Sequence, residues 1–142
     1  MIHQWPFSEM DSLEHIIELL KDQADVDIIN HVSYKNHQFP LYCITLGSNE
    51  PDVPVLAFFG GVHGLEKIGS EVIFAYLHTI IELLQWDSEF VDRLKRSRLV
   101  FFPMVNPVGI YLGTRCNANG VDLMRNSPIQ GSGKRNFCSG HR

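Results

Sequence analysis

His63 and Glu66 stand three positions apart in GGVHGLEKIGSEV, residues 60 to 72. A neutral imidazole and a carboxylate are both good zinc ligands, and side chains at this spacing across a turn can converge on one ion. The spacing alone carries little weight. With 7 His and 8 Glu among 142 residues, chance yields roughly 0.4 such pairs, so structural context has to decide. The chain contains its own control, His15 and Glu18, at the same spacing. That pair lies inside an amphipathic stretch, where it is most simply a partly solvated helix surface.

Two arginines ten apart form the second constellation. Arg115 and Arg125 lie in NPVGIYLGTRCNANGVDLMRN, residues 106 to 126. The planar guanidinium fork recognises carboxylates and polarised oxygens. The plainer alternative is that both pair with Asp122 or lie in solvent.

The elements that must position these residues are legible as periods. Met10, Leu13, Ile16, Ile17 and Leu20 recur at helical spacing, predicting a helix over about 9 to 23 with Ser8 as N-cap. Two β-rich runs, 28–34 and 39–46, joined by KNHQ, predict a hairpin. The apolar run VPVLAFF, 53–59, predicts a strand buried on both faces. Ile68, Val72, Ala75, Tyr76, Ile80, Leu83 and Leu84 predict one broad face of a helix over about 66 to 85. A shorter helix near 87–96 and a second apolar strand, 98–105, follow. Strand, helix and strand in that order imply a parallel βαβ unit, hence an α/β fold with a mixed, mainly parallel sheet and flanking helices. Loops and short elements are expected from 106 onward. Residues 127–142 have few apolar residues and no period, and are expected to be a loop or disordered tail.

In this frame His63 and Glu66 follow a strand and open a helix. Ligands of open α/β sheets bind at the carboxyl ends of the strands. Gly60, Gly61 and Gly64 let the backbone turn sharply and approach a bound group. Two readings stand at this point: half of a zinc site, or a polar glycine-rich turn with a satisfied histidine.

Composition narrows the partners. The 142 residues make one domain by length, 44% hydrophobic and 20% charged, an ordinary globular balance. A net charge of −4 argues against nucleic acid as the main partner. No apolar stretch reaches the ~18 residues that a membrane span needs, and the N-terminus lacks a secretory pattern. Cys43, Cys116 and Cys138 form no CxxC pair, so reduced thiols and a cytoplasmic location are expected.

The order strand–GGVHGLE–helix, then strand–NPVG–R–GVDLMRN, resembles the zinc carboxypeptidases of the carboxypeptidase A type. The resemblance runs over residues 53 to 126 in three linked pieces: HxxE, an NPDG-like turn with an arginine after it, and a DxNR-like segment. It implies the zinc carboxypeptidase-like fold and one zinc ion, with His63 and Glu66 as two of three protein ligands. Arg115 would polarise the scissile carbonyl and hold the developing oxyanion. Arg125 would bind the terminal carboxylate of a peptide. Met124 stands where the family has asparagine, removing a hydrogen-bond donor from that carboxylate site, and Val108 replaces the aspartate of NPDG. The resemblance also places the third ligand, a histidine, and a catalytic glutamate far downstream of HxxE. His141 lies in a polar tail and is a poor third ligand, and no glutamate follows Glu89. The chain is therefore expected to be the N-terminal part of the catalytic domain, truncated and inactive alone. Two alternatives accompany this: an aspartoacylase or succinylglutamate desuccinylase type of amidohydrolase acting on a small N-acyl amino acid, and a non-catalytic fragment that keeps the fold.

Overall fold

The computed structural model describes residues 5–127. The elements run α1 (Ser8–Leu20), β1 (Asp25–Tyr34), β2 (His37–Gly47), β3 (Val55–Phe59), α2 (Ile68–Trp86), α3 (Ser88–Leu94), β4 (Arg98–Phe102) and α4 (Pro107–Leu112). The four strands form one sheet in the order β1-β2-β4-β3. It is mixed and flanked by helices, as expected. Its parallel part is the β3–β4 pair, aligned from Val55↔Arg98 to Phe59↔Phe102. The β1–β2 hairpin is antiparallel, and β2 also runs antiparallel to β4. The parallel pair is joined through α2 and α3, the crossover that such a pair needs.

The hairpin closes tightly, with Tyr34 opposite His37. Lys35 takes the left-handed φ of 50° that this two-residue connection demands. At α1 the expected cap is corrected. Ser8 is the first helical residue, Phe7 occupies the cap position, and no side chain caps the helix there. The Ser8 hydroxyl turns to Glu9 instead.

The core forms between one face of the sheet and the long helices. Met10, Leu13, Ile16 and Leu20 of α1 join Ile44 and Leu46 of β2, Leu99 and Phe101 of β4, and Ile73, Phe74, Leu77 and Ile80 of α2. Each such large apolar side chain, fully buried, contributes roughly 1.5–3 kcal/mol. Phe58 stacks on Phe101 with ring centroids 4.9 Å apart, and Tyr76 meets both rings edge-on.

Two expectations about burial fail for one reason. Strand β3 was expected to be covered on both faces, but Val55, Leu56 and Phe59 are exposed, Phe59 to 61%. It is the edge strand of the sheet among the described residues. The buried stripe of α2 is Ser70, Ile73, Phe74, Leu77 and Ile80, whereas Ile68 and Val72 are exposed. Helix α2 is apolar nearly all round, so periodicity does not single out the face that packs. Both patterns describe segments suited to burial on every side, and the described residues cover only one.

Cys43 is a free thiol, and burial raises its pKa above the ordinary thiol value. Cys116 is disulfide-bonded, correcting the expectation of three reduced thiols. No helix among the described residues is long and apolar enough to cross a membrane. The tail expected over 127–142, with His141, lies outside the described residues from 128 onward.

Candidate metal centre

Strands β3 and β4 run side by side and end together, and their pairing continues into the loops beyond. The Gly60 N–H donates to Phe102 O at 2.9 Å, Val105 N–H to Gly60 O at 2.9 Å, and Asn106 N–H to Gly61 O at 2.9 Å. Gly61 adopts φ 61°, a conformation that other residues reach only under strain. Ser70, fully buried at the start of α2, donates its hydroxyl to Pro103 O at 2.8 Å. The glycine loop is thereby held between the β4 exit and the first turn of α2. Gly64 presses directly on α4: a Cβ there would sit 1.8 Å from the carbonyl carbon of Gly109.

The NPVG segment, expected as a turn, is the start of a helix. Asn106 caps α4 by accepting from Gly109 N–H at 2.9 Å, and Pro107 takes the first helical turn, where its missing N–H costs nothing. Val108 is fully buried in the core, which accounts for an apolar residue at that position. Gly113, at φ 63°, ends the helix.

These loops bring His63, Glu66 and Arg115 together. The His63 side chain is 10% exposed, and its Nδ1 lies 3.4 Å from Glu66 Oε2. Arg115 Nη1 reaches Glu66 Oε1 at 3.4 Å and Arg115 Nε donates to Asp122 Oδ2 at 2.7 Å. Arg125, more exposed, places its Nε 3.6 Å from the same Oδ2. Met124 is exposed beside it. Each arginine approaches Asp122, as the plainer alternative expects, and Arg115 also faces the histidine–glutamate pair.

Asp122 is the residue that the sequence reading left as a mere counter-ion. Its side chain is 3% exposed, and its Oδ1 lies 3.5 Å from His63 Nε2 while accepting from Arg125 N–H at 3.1 Å. Burial pushes its carboxyl up. The Arg115 hydrogen bond, the Arg125 N–H, the Arg115 charge and His63 outweigh that and hold it down at about 2. The signal that would have found it is its place three residues before Arg125, opening the DxxR segment.

The donor set fits half of a zinc site. One imidazole nitrogen faces a carboxylate oxygen at the mouth of the loop, and the other is a buried polar atom with no formed hydrogen bond, aimed at a carboxylate held ionised. A second carboxylate behind the distal nitrogen is the usual way of fixing the tautomer of a metal-binding histidine. Among the described residues no cluster of three or more ligating side chains surrounds an ion position.

This fold, with loops at the carboxyl ends of a parallel pair, is that of the metallocarboxypeptidases. The metallo-carboxypeptidase of Pseudomonas aeruginosa, solved with (2-guanidinoethylmercapto)succinic acid, superposes with a TM-score of 0.62 at 23% identity, covering 84% of this chain and 31% of that one. A Shewanella amazonensis chain assigned as a metallopeptidase gives 0.63 at 25% identity, covering 92% and 43%. The zinc carboxypeptidase family profile matches residues 13–141, and the chain belongs to that family. Among curated relatives, Carboxypeptidase SOL1 of Arabidopsis thaliana is 30% identical over 95 residues, 65% of this chain and 19% of its own length. Carboxypeptidase E of Caenorhabditis elegans is 32% identical over 100 residues, 61% and 21%. The chain thus spans about a fifth of these relatives and less than half of the solved structures.

Proposed function

We propose that this chain carries part of the active site of a zinc-dependent hydrolase that cleaves C-terminal peptide bonds. The observation that carries the reading is His63, with one nitrogen facing Glu66 and the other facing buried Asp122. His63 Nδ1 and Glu66 would hold the metal, which when bound supplies a water of lowered pKa and a Lewis acid. Asp122, facing Nε2 at 3.5 Å, would favour the proton there, so that the lone pair is kept on Nδ1.

The arginines serve the substrate. Arg115, anchored through Nε on Asp122, presents the far edge of its guanidinium beside Glu66. A cation fixed there stabilises oxyanion charge that develops only in the transition state. Arg125 offers an exposed fork to a chain-terminal carboxylate and so selects the last peptide bond. With Met124 beside it in place of an amide donor, the arginine fork is the donor that this segment offers the carboxylate. The compound bound in the Pseudomonas structure is a succinic acid derivative, and a dicarboxylate suits a site built on a guanidinium. The relatives named above are carboxypeptidases, which favours a peptide over a small N-acyl amino acid.

The third ligand and the proton-transferring carboxylate lie outside this chain in this reading. The test is hydrolysis of peptides with free C-termini, with zinc supplied. The 142-residue chain alone is expected to be inactive, and substantial turnover by it would refute the partial-site reading. A longer, active form carrying His63→Ala should lose both zinc and activity; retention of both would sink the ligand assignment.

A further inference from the structure

Asn106 makes a contact that its capping role does not use. Its side-chain oxygen accepts from Gly109 N–H at 2.9 Å, which is all that the start of α4 requires. Its amide nitrogen donates to Val62 O at 3.3 Å, across 44 positions of sequence. The two partners fix which end of the amide is which, since a flipped amide would set oxygen against oxygen and N–H against N–H. The Asn106 backbone N–H meanwhile holds Gly61 O at 2.9 Å. The residue is 3% exposed.

Val62 O belongs to the peptide that enters His63. On the other side of His63, Gly64 lies against Gly109 with no room for a single added carbon. The backbone of the histidine is therefore gripped on both sides by the first turn of α4. Gly109 serves both contacts: a Cβ there would fall 2.2 Å from Asn106 Nδ2. The NPVG segment thus has a division of labour. Asparagine caps and ties, proline starts the helix, valine fills the core, and glycine clears space for the tie.

We propose that Asn106 is a positioning residue whose amide N–H, held on the Val62 carbonyl, sets the direction in which His63 projects toward the metal. The inference rests on the zinc reading above. Serine caps a helix about as well as asparagine but is too short to reach Val62. Asn106→Ser therefore removes the tie and keeps the cap. In the 142-residue chain, zinc titration should give a Kd raised about tenfold, as for other residues that orient a ligand from behind. Thermal stability should fall only slightly. In metal-free protein, the ring-nitrogen NMR spectrum of His63 should change from one tautomer to a mixture. Asn106→Asp, which keeps the acceptor and loses the donor at the same size, should repeat the result and serves if the serine variant does not fold.

An unchanged Kd together with an unchanged His63 ring spectrum overturns the proposal. If His63→Ala binds zinc as well as the unaltered chain, the zinc reading fails. The His63 ring spectrum of the Asn106 variants then decides the positioning role by itself: a change sustains it and no change refutes it.

Discussion

The chain holds the same four-residue pattern twice, and the two copies have opposite fates. His15 and Glu18 lie on the solvent side of α1. Glu18 there pairs with Lys21 at 2.5 Å, one exposed side chain against another. His63 and Glu66 lie where two parallel strands end, with the histidine nearly buried between two carboxylates. Spacing is identical, so it explains none of the difference. What differs is backbone. A helix turns its side chains outward at fixed angles, whereas the glycine loop folds back on α4 and directs His63 inward.

The largest effect that would sharpen this contrast comes from the backbone itself. Gly64→Ala should destabilise the chain by about 3–4 kcal/mol, the upper range for a point change, because the new methyl meets main-chain atoms that cannot move aside. Urea denaturation measures it; a cost below about 1 kcal/mol would show that the loop and α4 are not locked together. Next in size is metal affinity. His63→Ala should weaken zinc binding by about 100-fold or more, beyond the 10–100-fold of supporting residues, and His15→Ala should leave it unchanged. Equal losses from both changes in calorimetric titration would erase the distinction between the two pairs.

A smaller effect concerns the link between α1 and the loop. Glu9 accepts from Lys67 at 2.5 Å, beside Glu66. Burial raises the Glu9 pKa, but the Lys67 hydrogen bond and charge outweigh it and leave the pKa below its ordinary 4.5. A lowered carboxyl pKa means stability that is present above the ordinary value and lost as pH falls through the lowered one. Lys67→Met should therefore cost about 0.5–1 kcal/mol at pH 7, and the difference from the unaltered chain should close in acid. A gap that persists at pH 2–3 would assign the effect to packing. Smallest of all is Glu18→Ala, expected within about 0.5 kcal/mol of the unaltered chain at any pH. A larger cost would mean that the helix pair is more than a solvated surface.

Much of the frame follows from local pattern. The two long helices, the hairpin and the strand–helix–strand order all lie within a few residues of where periodicity puts them. These signals are local, because a helix or strand writes its period into its own residues. The edge position of β3 and the packed side of α2 were not legible. Both segments are apolar in every direction, so their sequence states a capacity for burial without saying what covers them.

For the site, residue types and their order along the chain determined the candidates: His63, Glu66, Arg115 and Arg125, with zinc as the implied ion. Tertiary structure alone decided which of two identical HxxE patterns places its histidine, nearly buried, between two carboxylates at the strand ends. It also revealed Asp122 as the carboxylate on which the histidine and both arginines converge, and Asn106 as the tie across 44 positions. The physical reason is range. Helix and strand periods are set by neighbours in sequence. The direction of a side chain at the end of a strand is set by contacts with segments dozens of residues away, which only the folded chain brings within hydrogen-bonding distance.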